Sequence, residues 1–171
     1  NKIILIFDEC TSAFRVNYGG IHLLTKVNPD LATFGKALGN GYAISAVIGK
    51  KTIMQSAKNS FISSTFWSER IGFVAGVETL KLMKKMNSHK ELIKNGKYIE
   101  KKLKKISNLN RVQIKINGIH SIISFTFKKN HQLLKTFVTQ EMLKYGFLAS
   151  NVIYVSIEHK KKIVDKYIYY L

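Results

Sequence analysis

Three polar groups in the first 70 residues could serve one reaction. Asp8 follows an apolar run, Lys36 lies in the glycine-flanked run Phe34–Gly41, and Thr65 ends the hydroxyl run Ser63–Thr65. A neutral lysine amine attacks a carbonyl to form an imine, and partial burial between strands favours the neutral amine. A buried carboxylate keeps a cofactor's ring nitrogen protonated, and hydroxyls near a helix start donate hydrogen bonds to a phosphate. The three groups together match these three needs.

Each group also has an ordinary structural explanation when it is taken alone. Asp8 could cap a helix or be a surface acid, and Lys36 could be a solvated lysine in a turn. The hydroxyl run that ends at Thr65 could be a plain loop. The combination in this order, rather than any single residue, favours the catalytic interpretation.

Three short apolar segments must position these groups. The pattern predicts a buried strand over residues 1–8, a second strand over Leu31–Phe34 and a third over Ala43–Ile48. Carboxylates at the carboxyl end of a buried strand lie where α/β proteins bind ligands. Gly39, Asn40 and Gly41 permit unusual backbone angles just after Lys36.

Two helices follow, and then a region of mixed pattern. A helix from Ser68 carries one stripe with small residues that allow close packing, formed by Ile71, Val74, Ala75, Glu78 and Leu82. A second helix over His89–Ile106 repeats apolar or small residues at Leu92, Gly96, Ile99, Leu103 and Ile106, and lysines fill much of its remaining surface. Beyond it the pattern predicts strands over 112–116, 121–127 and 153–155, and helices over 132–145 and from about Glu158.

The composition disfavours several classes of protein. The 171 residues carry 28 Lys+Arg against 10 Asp+Glu, a formal net charge of +18. This charge alone would allow a basic nucleic-acid-binding module, but arginine is rare and the lysines are spread, so we expect no nucleic-acid partner. No apolar run is long enough for a membrane span, and we expect no membrane association. The single cysteine, Cys10, fits a reducing cytoplasm, and no metal site is expected.

The same residues carry a resemblance to a known family. Leu5–Arg15 resembles the segment Asp-Glu-Val-x-Ser/Thr-Gly-Phe-Arg of class III pyridoxal-phosphate aminotransferases, and Asn28–Gly41 resembles their lysine segment. Ser64–Glu69 lies where the family has its Gly-Thr phosphate segment. Gln140–Ser150 resembles the family's small C-terminal domain. Ala13 replaces the usual glycine of the first segment.

The resemblance implies a role for each site residue. Asp8 would pair with the pyridine nitrogen of pyridoxal 5'-phosphate, and Lys36 would carry the cofactor as a Schiff base and then act as acid and base. Cys10 would replace a valine that packs on the cofactor ring. Thr65 would bind a phosphate, in this family usually that of the neighbouring subunit's cofactor.

The resemblance also implies an architecture. The expected fold class is α/β: the C-terminal part of a fold-type I transferase large domain over residues 1–86, a connecting helix over 87–107 and a small α+β domain over 108–171. The family's first phosphate loop, its stacking aromatic and most substrate contacts have no counterpart in these residues. We therefore expect a fragment, a split subunit or a truncated gene product of a cytoplasmic homodimer, inactive by itself.

Two reactions remain open within the family. One is amino-group transfer between a small amino donor and an aldehyde or keto acceptor. The other is the intramolecular version, as in glutamate-1-semialdehyde aminomutases. The segments Phe14–Val16 and Tyr18–Gly20 resemble this subgroup of the family. Ser63–Trp67 departs from the aminomutase pattern. A further alternative is a non-catalytic module that completes the site of another chain.

Overall fold

The computed structural model describes residues 3–171 as two compact units that divide after His89. Among these residues no helix has the length and apolar character needed to cross a bilayer. Each unit contains one three-stranded sheet, and the sheet of the first unit positions the candidate site.

The first unit is built around strands β1 (Ile6–Asp8), β2 (Leu31–Phe34) and β3 (Ala46–Gly49). β1 pairs with β2 in parallel, with Asp8 opposite Thr33, and β3 pairs antiparallel on the other side of β2. The short helix α1 (His22–Thr25) lies between β1 and β2, and a 3₁₀ turn at Lys36–Leu38 lies between β2 and β3. The short helix α2 (Lys51–Met54) and a 3₁₀ turn at Gln55–Asn59 lead from β3 to α3 (Arg70–Met86).

The prediction of a buried first strand is wrong in two respects. The strand begins at Ile6, and the side chains of Ile3, Ile4, Leu5 and Ile6 are exposed. The first two residues of the predicted strand lie outside the described residues. The apolar pattern only says that these side chains favour burial, and nothing in the described chain covers them.

The α3 helix packs through its glycines rather than through the predicted stripe. Gly72 and Gly76 are buried, whereas Ile71, Val74 and Leu82 are exposed. A Cβ atom on Gly72 would lie 3.1 Å from the backbone oxygen of Ala43. The periodicity correctly predicted a helix, but close backbone approach decided which face is buried.

The second unit contains a larger core. It comprises α4 (Ser88–Leu109, entering from the first unit), β4 (Ile114–Ile119), β5 (Ile122–Phe127), α5 (His131–Lys144), β6 (Val152–Tyr154) and α6 (Lys161–Tyr170). The three strands form an antiparallel sheet in that order, and α5 connects β5 to β6. Leu92, Ile99 and Leu103 of α4 pack with residues of β5 and α6, so the stripe predicted for this helix is the buried one.

Candidate active site

Asp8 ends β1 and is held by the two neighbouring segments. Its Oδ1 accepts hydrogen bonds from the Cys10 amide at 3.0 Å and from the Thr33 hydroxyl at 3.2 Å. These bonds, that of the Cys10 amide above all, hold the pKa of Asp8 below its ordinary value, and the positive charge of Lys36 acts in the same direction. Asp8 is therefore an ionised carboxylate at neutral pH.

Burial does not produce this state, contrary to the sequence-based expectation. The Asp8 side chain is exposed among the described residues. The hydrogen bonds favour the charged form directly, so a low pKa does not require a buried carboxylate.

Cys10 and Gly35 bring the end of β1 against the turn that follows β2. A Cβ atom on Gly35 would lie 3.4 Å from Cys10 Sγ, an ordinary contact distance. The same sulfur lies 3.8 Å from the Thr33 hydroxyl. Cys10 is half-buried and has no disulfide partner. The structure thus brings Asp8, Cys10 and the residue before Lys36 into one cluster.

Lys36 begins the 3₁₀ turn directly beyond β2. Its φ angle is +44°, in the left-handed region that non-glycine residues adopt infrequently, and its Nζ donates a hydrogen bond to Thr11 Oγ1. Left-handed φ angles at non-glycine residues store backbone strain and are enriched at functional sites. The expected partial burial of Lys36 is not found. Its side chain is exposed because it lies beyond the strand end rather than between strands.

The residues that follow the Lys36 turn differ in whether they need an unusual backbone angle or the absence of a side chain. Asn40 has a φ angle of +47° and Gly41 one of +110°, as the sequence predicted. Gly39 has an ordinary φ of −91°, so the expectation of an unusual angle is wrong there. A glycine is needed at position 39 because a Cβ atom there would lie only 2.3 Å from the Tyr42 backbone oxygen.

The loop that carries Cys10 and Thr11 is held by Glu9. Its carboxylate is fully buried and accepts hydrogen bonds from the Ser12 hydroxyl at 2.5 Å and the Ile21 amide at 2.6 Å. His22 Nδ1 lies 3.7 Å from the same carboxylate. A buried carboxylate requires such partners, and here they fix both ends of the loop between β1 and α1.

Thr65 is separate from this cluster. It is exposed in a turn ahead of α3, and among residues 3–171 no hydrogen bond joins it to Asp8, Cys10 or Lys36. Its neighbours Ser64 and Phe66 border a cavity of about 520 Å³ that reaches Ser45 and Phe73. The structure therefore brings together three of the four predicted site residues.

Sequence reasoning missed two hydroxyls in the cluster. Thr33 was part of an apolar strand pattern, yet its parallel pairing opposite Asp8 gives it a polar role. Thr11 holds the Lys36 amine. Thr11 could have been identified from the Ser/Thr position of the family segment. Thr33 could have been identified only from the register of the two paired strands.

Taken together, the cluster joins an ionised carboxylate, an exposed lysine amine and a small sulfur side chain at one strand end of an α/β unit. This combination of groups is chemically suited to imine formation by the lysine and to an ion pair between the carboxylate and a protonated heterocycle.

Comparison with known proteins gives the family. Residues 1–157 match the family model of class III aminotransferases. The chain is 38% identical, over 74% of its length, to a 3-aminobutyryl-CoA aminotransferase of Cloacimonas acidaminovorans, of which it covers 31%. It is 32% identical, over 86% of its length, to a glutamate-1-semialdehyde 2,1-aminomutase of Methanosphaera stadtmanae, of which it covers 36%.

Solved structures show the same fold. The FumI protein of Sphingopyxis sp. MTA144, solved in its PLP internal aldimine form, matches 96% of this chain with a TM-score of 0.89 at 23% identity. An omega-transaminase of Sphaerobacter thermophilus matches 98% with a TM-score of 0.84 at 19% identity. The chain covers 41% and 43% of these two structures.

The chain belongs to the class III aminotransferase family. The predicted α/β class and fold-type I architecture are confirmed, as is the family resemblance. Class III aminotransferases are pyridoxal-phosphate enzymes, and the family includes both transferases and aminomutases. The chain spans about a third of the length of the two curated relatives above.

Proposed function

We propose that this chain carries the lysine and ring-nitrogen partner of a pyridoxal-phosphate site, in a protein that transfers an amino group between a small amino donor and a carbonyl acceptor. The observation that carries the proposal is the Asp8 carboxylate, held ionised by Cys10 and Thr33 at the strand end next to the Lys36 turn.

The residues fit the cofactor in charge and in donor type. When bound, pyridoxal phosphate supplies an electron sink for the carbon that bears the amino group. Asp8 would accept the ring N–H and keep that nitrogen protonated. Cys10 would contact the ring as a small apolar side chain.

Lys36 would bind the cofactor covalently and move protons. Its Nζ already donates to Thr11 Oγ1, a contact that orients the amine. Once displaced by the substrate amine, Nζ would take the proton from the carbon that bears the substrate's amino group. Thr11 would then serve as a positioning residue for this transfer.

Three further proposals concern the complete protein. It would be a homodimer in which Thr65 reaches the phosphate of the neighbouring subunit's cofactor, and the separation of Thr65 from the Asp8 cluster within this chain supports that division. It would function in the cytoplasm, and the free thiol of Cys10 is compatible with a reducing compartment. The residues 3–171 alone would have no turnover.

The test of Lys36 uses the protein that holds the rest of the fold. Borohydride reduces an imine to a stable amine, so peptide mass spectrometry should find the cofactor fixed on Lys36. Lys36→Ala should lose this adduct and at least 1,000-fold of activity, on the order expected for a covalent catalyst. Lys51→Ala, which removes an exposed lysine of α2, should keep both. Fixation of the cofactor to another lysine in Lys36→Ala would sink the proposal.

The intramolecular alternative is supported by the aminomutase relatives. An aminomutase turns over a single substrate without an external amino acceptor, whereas a transferase stops after one half-reaction. Sustained turnover of glutamate-1-semialdehyde with no added acceptor would decide for the aminomutase.

A further inference from the structure

A groove between α4 and α6 of the second unit is lined mainly by lysines. Its volume is about 640 Å³. α4 contributes Lys101, Lys102, Lys104 and Lys105 to the lining, and α6 contributes Lys161 and Asp165. The groove therefore collects five lysine amines around one carboxylate, and it shares no residue with the proposed amino-transfer site.

The carboxylate in this groove is already engaged by its neighbours. Asp165 Oδ1 accepts a hydrogen bond from the Tyr98 hydroxyl at 2.5 Å and lies 2.6 Å from Lys102 Nζ. These contacts, that of Lys102 above all, hold the pKa of Asp165 below its ordinary value, and Lys161 acts on it only as a more distant charge. Asp165 and Lys102 thus neutralise each other at neutral pH.

Three lysines of the groove have no ion-pair partner in the described part of the chain. Lys104 Nζ is paired, since it lies 2.6 Å from Glu100 Oε1. Within residues 3–171, by contrast, Lys101, Lys105 and Lys161 form no ion pair, and all three side chains are exposed. Lys101 and Lys105 lie four residues apart on α4, where like charges repel each other. An anion in the groove would relieve this repulsion.

The start of α6 adds to the positive potential at the groove. α6 begins at Lys161, and its first turn contains no acidic residue. No side chain of residues 3–171 caps this helix start. Uncapped amides at a helix start carry partial positive charge, which favours a nearby anion. The lysine amines and the helix start therefore favour the same kind of ligand.

We propose that this groove binds an anion that carries several linked phosphate groups. Lysine amines bind phosphate as point charges, and linked phosphates can pair with three amines at once. Lys101 and Lys105 span one helical turn, about 5.4 Å, so the site suits a short run of phosphates. A nucleic-acid strand fits less well, because nucleic-acid surfaces extend further and no arginine is among the described lining residues.

The experiment titrates inorganic triphosphate into the ¹⁵N-labelled 171-residue chain and follows binding by calorimetry and by amide shifts. One triphosphate should bind per protein chain, with shifts at residues 101–108 and Lys161–Asp165. Orthophosphate should bind at least about tenfold more weakly, because it can pair with fewer amines. Adenosine triphosphate distinguishes the source of the phosphates. Affinity equal to that of triphosphate would identify the phosphates alone as the ligand, and tighter binding would identify a nucleotide.

Two variants of equal net charge assign the binding to the groove. Lys101→Gln combined with Lys105→Gln should weaken triphosphate binding at least about tenfold, because it removes two of the three unpaired amines. Lys90→Gln combined with Lys97→Gln removes two exposed lysines of the same helix outside the groove, and it should change the affinity by less than about twofold. Glutamine is a good helix former, so both variants should fold.

Equal weakening by the two variants would overturn the proposal, because it would mean that diffuse positive charge attracts the anion. More than one triphosphate per protein chain, shifts confined to the first unit, or no binding would overturn it as well. An oligothymidylate that binds more tightly than triphosphate and loses affinity in the groove variant would assign the groove to single-stranded nucleic acid instead. The groove lies wholly in the second unit, so each of these results is independent of whether the lysine site is correct.

Discussion

The two units of the chain differ in how much of their apolar surface they bury, and the proposed active site lies on the unit that buries less. In the second unit Leu103, Ile123, Phe125 and Val155 are at most 2% exposed and belong to one cluster. In the first unit the buried cluster consists of Ala13, Ala32, Phe34 and Leu38. Its first strand and most of the apolar face of α3 remain exposed.

The difference indicates that the unit with the larger core and the unit with the proposed active site are stabilised by different kinds of contact. A small core suffices to hold β2, because the Asp8 and Glu9 carboxylates fix the surrounding loops through hydrogen bonds. Large exposed apolar surfaces are typical of protein interfaces. The first unit thus depends more on polar contacts, and the second more on its core.

The largest expected effect is a difference between the two units in the stability lost when a buried side chain is shortened. Leu103→Ala should lower the free energy of unfolding of the second unit by about 4 kcal/mol, because Leu103 is fully buried in the core cluster of that unit. Leu38→Ala in the first unit should cost about 2 kcal/mol, since its small cluster can relax around the change. Hydrogen exchange should show the Leu103→Ala loss at Ile123 and Phe125. Equal loss of protection at Ala32 and Phe34 would mean that the units unfold together.

The same glycine substitution should have opposite effects in the two long helices. A Cβ atom on Gly96 would lie 1.6 Å from the His120 backbone oxygen, so Gly96→Ala must separate α4 from the β4–β5 turn. We expect a cost of about 3 kcal/mol, at the upper end for overpacking. Around Gly76 the nearest atoms are 3.6 Å away, so Gly76→Ala should stabilise α3 by about 0.5 kcal/mol through helix propensity. Thermal unfolding of both variants measures the contrast, and a loss at Gly76 as large as at Gly96 would contradict it.

The smallest expected effect is the dependence of stability on pH that comes from His159 in the second unit. Burial lowers the pKa of His159 in the folded state, so the unfolded chain binds the proton more readily as pH falls below about 6.5. Stability should therefore be unaffected by this group above pH 7 and should fall between pH 7 and pH 5. His159→Gln should show a shallower fall in melting temperature over that range. Parallel pH profiles for the two proteins would disprove the assignment.

Much of the fold could be predicted from periodicity. The pattern predicted β2 at Leu31–Phe34 with its observed bounds, and α5 within one residue at either end. It also predicted the buried stripe of α4, because apolar residues at helical spacing can bury only one face. It failed for α3, whose glycines allow a close backbone approach that an apolar pattern does not report.

The candidate site was accessible from sequence to the extent that residue type and order carry the chemistry. Asp8, Cys10 and Lys36 were identified from local segments, and the structure brings them together. The burial expected for Asp8 and Lys36 was wrong, because strand ends are covered only by what folds over them. Thr33 was missed because its role depends on register across a parallel pair.

By itself, then, the sequence determined the family and most of the longer helices and strands, since these follow from local pattern and motif. Only the tertiary structure decided that hydrogen bonds rather than burial keep Asp8 ionised, and that Thr11 holds Lys36. The reason is physical: the pKa of a carboxylate and the orientation of an amine depend on the atoms that the fold brings to them. The Cys10 amide, two residues away, has the largest effect on the pKa of Asp8, and the Thr33 hydroxyl, 25 residues away, adds to it. The Lys36 amine is held by Thr11, which is also 25 residues away in the sequence.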